Sequence, residues 1–367
     1  MRIGLIAPPW AEVPPASFGT AETVVDNLAR GLRAEGHEVA LFCAGSSTCP
    51  VPRLSLFSGP RGSATDTAEE AAHVLAAYAA LDDFDVIHDH TTLGPLLVGA
   101  GGGPQHPQVV VTSHAEVTAA HRRVLAEATR HATVTAVSNS QARQARDVHI
   151  SAVVHHGVDT ARHLPGTGDG GYLLVVGPTS AGTGIHRAIR VARRSHRHLV
   201  LLTAMRNDAE QRYYERYVMP ALDDDITVLV DPDEETRIDL ERGAAALLNT
   251  VTTHEPFGLA MAEALAAATP VLSFETGAAP EIVDHARTGY LCRDEDDMAA
   301  AVAKLPRLDR EACRTAAVTR FSRARMTEQY LGVYDAVLSG SPIRSAVTST
   351  PRLAVPSPVR QGARTHP

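Results

Sequence analysis

The chain has 367 residues, with 42 acidic against 34 basic side chains and a formal charge of −8 with His neutral. That length exceeds one ordinary core and points to two domains of about 150 residues each. The negative balance and the scattered positive charges, all Arg except Lys304, exclude a nucleic-acid-binding surface, and no run approaches the ~18 apolar residues of a membrane-spanning helix. The N-terminus begins directly on a strand pattern with no leader, so the expected compartment is the cytoplasm.

In chain order, Ile3 to Ala7, Val39 to Cys43, Val86 to His88, Val109 to Thr112 and Thr133 to Val137 read as strands separated by helical patterns. Leu173 to Val176, Leu199 to Leu202, Ile226 to Leu229, Ala245 to Leu248 and Val271 to Phe274 repeat the rhythm. Alternation of this kind makes a parallel α/β sheet, here twice, so two doubly wound Rossmann-like domains are expected over 1–165 and 170–320. A closing helix over 321–338 and a Ser-, Pro-, Thr- and Arg-rich tail over 341–367 without an acidic residue follow, and the tail is expected to be disordered. Cys43, Cys49, Cys292 and Cys313 share no metal-ligand spacing and are expected free and reduced.

The stretch Glu255-Pro-Phe-Gly-Leu-Ala-Met-Ala-Glu263 carries the most chemistry. It places one carboxylate in the loop after a strand and a second two turns into an Ala-rich helix. The backbone N–H groups of Phe257, Gly258 and Leu259 open that helix without intrahelical partners, suiting an anion or hydroxyl oxygens. Ionised carboxylates only accept hydrogen bonds, so the pair favours ligands rich in hydroxyl donors such as sugars and ribose. Gly19 stands in the turn after the first strand, where a backbone approaches a ligand. His114 falls just past the strand Val109 to Thr112, beside the expected cleft. His88 and His90 alternate along one strand end and point the same way, which invites a metal reading with Asp89. No third ligand is spaced nearby, so structural hydrogen bonding or acceptor contact is the expected role.

Taken together, Met1 to Pro9, Phe18-Gly19-Thr20-Ala21-Glu22, Gly36 to Phe42, Asp85 to His90, Val109 to His114, Tyr172 to Gly177, Glu255 to Glu263, Gly277-Ala278-Ala279-Pro280-Glu281 and Phe321-Ser322 resemble, in one order, the family-4 retaining glycosyltransferases. The resemblance implies the GT-B arrangement, two Rossmann-like domains facing across a cleft, and hexose transfer from a nucleotide diphosphate sugar to a small acceptor without a metal. It implies catalytic roles for His114 and Glu255, with Glu255 at the transferred sugar. Gly19, Phe257, Gly258, Leu259, Glu263 and Glu281 would contact the donor, Glu263 at its ribose. Trp10, Phe18, His90 and Thr91 would lie on the acceptor side.

Three positions depart from the family. The loop Gly177-Pro178-Thr179-Ser180-Ala181-Gly182-Thr183-Gly184 has Pro178 and Thr183 where the family carries a diphosphate-binding Arg and Lys, and Gly19 is followed by Thr20 where a second glycine usually stands. Arg187, Arg190 and Arg206 are the nearby candidates to replace the lost charges. Two alternatives therefore stay open: a non-catalytic scaffold or activator, and a protein that couples a sugar-like donor to an amine.

Overall fold

The computed structural model describes residues 1–62, 66–97 and 107–343. The tail expectation from 344 onward lies outside the described residues. The first sheet is built from β1 (Arg2–Ile6), β2 (Glu38–Phe42), β3 (Arg53–Leu54), β4 (Val86–Asp89), β5 (Gln108–Thr112), β6 (Thr133–Ala136) and β7 (Ala152–Val153). Its order is β3-β2-β1-β4-β5-β6-β7, all parallel. The second contains β8 (Leu173–Val176), β9 (Leu199–Thr203), β10 (Ile226–Val230), β11 (Ala246–Asn249), β12 (Val271–Phe274) and β13 (Gly289–Cys292), ordered β10-β9-β8-β11-β12-β13 and also parallel. The ten expected strands are present, with no end shifted by more than one residue. β3 and β7 are two-residue edge pieces too short to show a period, and β13 opens on a glycine whose Cβ would lie 1.9 Å from the Val271 carbonyl oxygen.

Helices α1 (Thr20–Ala34), α2 (Thr67–Ala80), α3 (Gly94–Leu97), α4 (Ala119–Ala128) and α5 (Asn139–Gln144) accompany the first sheet. Helices α6 (Ile185–Arg194), α7 (Asp208–Tyr213), α8 (Glu234–Gly243), α9 (Leu259–Ala266), α10 (Ala279–Ile282), α11 (Glu295–Val302) and α12 (Arg310–Arg320) belong to the second. The strands are apolar on both faces because helices cover both, and Ile3, Leu5 and Ile6 or Leu173, Leu174 and Val175 are fully buried. The last helix, α13 (Arg323–Ser339), starts on Ser322, whose hydroxyl accepts from the Arg325 N–H, and ends at Gly340 in the left-handed region. It lies against α1 and buries Tyr330 and Tyr334, whose hydroxyls reach Thr112 and His88 of the first sheet.

In each sheet the strand order reverses once, between β1 and β4 and between β8 and β11. The carboxyl ends of strands flanking such a reversal leave a crevice for ligands. The loops after these strands hold Gly19, His90, Gly177 and Glu255, so the topology brings four separate sequence features toward one cleft. No described helix is long and apolar enough to cross a membrane.

Candidate active site

Glu255 is held by its backbone. Its carbonyl accepts from Ala278 N–H at 3.3 Å, and Gly277, at φ 54°, approaches so closely that a Cβ there would lie 2.6 Å from that carbonyl oxygen. The loop is tied further by the Thr250 hydroxyl, which donates to the Thr183 and Gly184 carbonyls at 3.0 and 3.1 Å. Gly258 then turns the chain into α9 at φ 89°, a conformation that favours glycine, and a Cβ there would meet Glu255 Oε2 at 2.9 Å. The Glu255 carboxyl therefore folds over the helix start. It is half-buried, pairs with no cation or hydrogen-bond donor among the described residues, and burial pushes its pKa up to about 7.

Glu255 faces a cavity of about 160 Å³ between the two sheets. Ser17, Phe18, Gly19, Thr20 and Thr23 line it from the first domain. Gly177, Pro178, Thr183, Gly258, Leu259 and Glu263 are among the residues that line it from the second. Gly19 is extended at φ 179°, so its backbone alone does not require glycine; the requirement is space, since a Cβ would sit 2.8 Å from Glu22 Oε2 and 2.9 Å from Pro15 Cβ. Phe257 is turned away: its ring is buried against His156 and Phe321, leaving only its backbone near the helix start.

Glu263 projects from α9 into a buried cluster that sequence reading missed. Arg237 Nη1 of α8 donates to Glu263 at 2.6 Å and to Glu241 at 3.2 Å, while His163 Nδ1 lies 3.0 Å from Glu241. None of the four side chains is more than 7% exposed. Burial alone would raise the Glu263 pKa, but the charges of Arg237 and His163 outweigh it and hold the carboxyl below its ordinary value. Likewise burial would lower His163, and the Glu241 and Glu263 carboxylates outweigh it and raise it. Arg237 and Glu241 stand i,i+4 on one helix, a visible spacing; nothing in the sequence shows that His163, in the connection between the sheets, completes the set.

The candidate replacements for the missing diphosphate cations point elsewhere. Arg187 donates to the Ala181 carbonyl at 3.2 Å, Arg190 is paired with Glu295 through two hydrogen bonds, and Arg206 lies 3.9 Å from Asp231. Among the described residues Arg237 is the one cation on the cavity wall, and two carboxylates already neutralise it.

Glu281, expected at the donor, does not line this cavity. Its carboxylate accepts from Asn139 N–H at 2.8 Å, Asn139 Nδ2 at 2.9 Å and Ser140 N–H at 2.6 Å, with His155 Nε2 at 3.0 Å. All of these groups come from the first domain, so Glu281 is an interdomain clasp. Beside it the Ser138 hydroxyl donates to the carbonyl of Pro256, the neighbour of Glu255. Burial would raise the Glu281 pKa, but the hydrogen bonds from His155 and Asn139 outweigh it and lower it. A depressed carboxyl stabilises above its unfolded value of about 4.5 and loses that contribution as pH falls through the folded value. Glu281→Ala is therefore expected to lower stability by about 2 to 4 kcal/mol at pH 7, leaving buried donors unpaired, and the gap in melting temperature should narrow below pH 4. An unchanged melting temperature at pH 7 would refute the clasp.

On the acceptor side, Thr91 is buried and its hydroxyl is occupied, donating to Asp89 Oδ1 at 2.7 Å and accepting from Gly94 N–H. Trp10 is not among the residues lining the cavity. His90 is 3% exposed and its Nδ1 bonds His114 Nε2 at 2.9 Å. His114, expected to be catalytic, is half-buried, is not among the residues lining this cavity, and its Nδ1 is buried without a partner. The metal reading of His88, Asp89 and His90 finds no free ligand set: His88 bonds Tyr334 and Thr112, and Asp89 bonds Tyr78 and Thr91. Among the described residues no group of three such side chains is arranged to hold a metal ion.

Comparison with known proteins agrees with this geometry. The family described as Glycosyltransferase Family 4 matches residues 21–162, and that described as Glycosyl transferases group 1 matches residues 172–307. N-acetyl-alpha-D-glucosaminyl L-malate synthase of Bacillus anthracis is 32% identical over 100 residues, a match spanning 25% of this chain and 26% of that protein. Among solved structures, AviGT4, a glycosyltransferase involved in avilamycin A biosynthesis, superposes with a TM-score of 0.67 at 23% identity over 93% of this chain and 98% of that one. Sucrose-phosphate synthase from Thermosynechococcus elongatus reaches 0.79 at 19% identity over 93% and 100%, and Anabaena HepE, in complex with UDP and glucose, 0.74 at 16% over 92% and 100%. The structural likenesses establish the two-domain GT-B fold, and the family matches across both domains show that the chain belongs to the family-4 glycosyltransferases.

Proposed function

We propose that the protein transfers a hexose from a nucleotide diphosphate sugar to a hydroxyl of a small acceptor, with retention of anomeric configuration and without a metal. The observation that carries this reading is the unpaired Glu255 carboxyl at the glycine-started helix, facing the Gly19 loop across one cavity that also holds Glu263. In this reading the donor lies on the second domain, with its sugar at Glu255 and its ribose at Glu263, and His114 faces the anomeric carbon from the first. The bond from the anomeric carbon to the diphosphate breaks, the acceptor oxygen bonds on the same face, and its proton passes to the departing diphosphate oxygen. The UDP and glucose in the HepE complex favour a UDP-sugar donor, and the avilamycin enzyme favours a biosynthetic setting.

Thermal shift with UDP, GDP, ADP and dTDP tests the reading, because a ligand bound to the native state at 100 times its Kd adds about 2.7 kcal/mol. For a chain of this size one of the four should raise the melting temperature by a few degrees. No shift with any of them would favour the non-catalytic alternative, which the neutralised Arg237 supports.

Glu255→Gln should lower kcat at least about 100-fold, since it removes the charge facing the sugar. The same change should stabilise. With a folded pKa of about 7 against 4.5, the native carboxyl holds more protons than the unfolded one, so stability falls as pH rises between these values. At pH 8 the Gln variant should therefore be more stable by up to about 3 kcal/mol, and at pH 4 by none. Equal unfolding curves at both pH values would overturn the burial of an unpaired carboxyl.

A further inference from the structure

Four imidazoles run side by side from the first sheet to the buried ring of Phe257. Ring centroids lie 4.0 Å apart for His88 and His90, 5.2 Å for His90 and His114, and 5.0 Å for His114 and His156, which meets Phe257 edge-on at 4.9 Å. Burial lowers the pKa of all four rings, that of His114 to about 4, so they are neutral at pH 7.

At the inner end the proton positions can be traced. The Thr135 hydroxyl donates to the Val111 carbonyl at 3.2 Å, so across the 2.6 Å contact with Thr112 it is the Thr112 hydroxyl that donates. With its proton used, Thr112 Oγ1 accepts from the Tyr330 hydroxyl at 3.0 Å and from His88 Nε2 at 2.8 Å. A neutral His88 with a proton on Nε2 has a bare Nδ1, which accepts from the Tyr334 hydroxyl at 2.7 Å. His88 is thus locked in one tautomer by α13.

The next pair is not locked. Between His90 Nδ1 and His114 Nε2 one ring donates and the other accepts, and the outer nitrogens, His90 Nε2 and His114 Nδ1, are buried without a partner. If His90 donates, His114 Nδ1 carries a proton and is a donor. If His114 donates, its Nδ1 is a bare acceptor.

We propose that His90 is a positioning residue for His114, their one hydrogen bond coupling the two tautomers so that His90 decides whether the buried His114 Nδ1 carries a proton. The inference rests on the reading of His114 as facing the transferred sugar. His156, stacked on His114 at an interplanar angle of 22°, holds the ring in the plane that this bond needs.

Long-range 1H–15N correlation spectra of 15N-histidine-labelled protein report which nitrogen of His114 is protonated, with no ligand required. His90→Phe keeps a ring on His88 but removes the bond, and should change the His114 tautomer ratio. His90→Asn places an amide near the Nδ1 position and should restore it. With UDP-glucose as the probe, His90→Phe should lower kcat about 100-fold while KM moves by less than about threefold, and His90→Asn should regain at least about tenfold. A misfolded His90→Phe would show in its melting curve, and the Asn variant then decides through its spectrum and kcat. An unchanged His114 tautomer ratio, or turnover within about twofold of wild type, in a folded His90→Phe variant would overturn the proposal. Should the wild type fail to turn over UDP-glucose, or His114→Ala leave turnover unchanged, the reading of His114 fails, and the spectra still decide whether His90 sets its tautomer.

Discussion

Arg237→Met should cost about 3 to 5 kcal/mol of stability, the largest loss expected from any single change on the cavity wall. The guanidinium sits between Glu241 and Glu263, and all three side chains are almost fully buried. Burial would lower the Arg237 pKa, but the two carboxylates outweigh it and raise it, so the group stays charged. Removing it leaves two buried carboxylates facing each other with His163 for compensation. The pH dependence gives the sign. Glu263, held low in the native protein, stabilises above its ordinary value and loses this contribution as pH falls through the folded one; His163, held high, stabilises below about 6.5 and loses it as pH rises through its folded value. Wild-type stability from this cluster is therefore greatest in the window between them. In Arg237→Met the carboxylates lose their cation, so stability should instead fall as pH rises from 4 to 8. The triple change with Glu241→Gln and Glu263→Gln should recover most of the loss, because it removes the uncompensated charge. Urea unfolding across that pH range is the measurement, and a single variant within about 1 kcal/mol of wild type at pH 7 would contradict the charge cluster.

What the sequence made legible follows the range of the interactions involved. Ten strands were readable because most are apolar runs of three to five residues set between helical patterns, while the two-residue edge strands β3 and β7 leave no such trace. The Glu255 to Glu263 segment was readable because strand end, turn glycine and helix start are consecutive, so local rules suffice to aim a carboxyl at a crevice. His88 and His90 were placed on one strand face by the alternation of a strand. Their links to Tyr334, 246 residues after His88, and to His114, 24 residues after His90, depend on which strands pair and on where α13 returns. Glu281 shows the limit most plainly. Its position in a glycine- and proline-containing turn after β12 is legible, but the four hydrogen bonds that occupy it come from Asn139, Ser140 and His155, across the domain boundary. Arg237 and His163 likewise meet only after α8, α9 and the connecting segment have packed, a contact with no local spacing to announce it.

The double change Pro178→Arg with Thr183→Lys should tighten UDP binding by roughly 10² to 10⁴ fold, at about 1.5 to 3 kcal/mol for each charge-assisted contact if the two add. Both positions line the cavity, and Pro178 is exposed at its rim, so a longer side chain there meets solvent rather than core. Thr183 bonds Ser180 through its hydroxyl at 2.9 Å, and the Thr183 N–H donates to Ser180 Oγ at 3.1 Å. Lys at 183 forfeits the first of these bonds and keeps the second, which belongs to the backbone, so the turn into α6 retains its shape. The gain is expected because the wall supplies so little charge of its own. Arg237 is neutralised by two carboxylates, Arg190 by Glu295, and the side chains of Arg187 and Arg206 are engaged outside the cavity. A diphosphate in the unmodified cleft would rely on backbone N–H groups at the starts of α6 and α9, a weaker and partly screened attraction. Titration calorimetry with UDP on both forms decides. Micromolar binding by the unmodified protein with no gain in the variant would mean that these backbone donors already hold the diphosphate, and the active-transferase reading stands without the two cations. Undetectable binding rescued by the pair would mean that the cleft has lost its donor, leaving a family-4 fold whose remaining sugar-facing residues serve a different ligand.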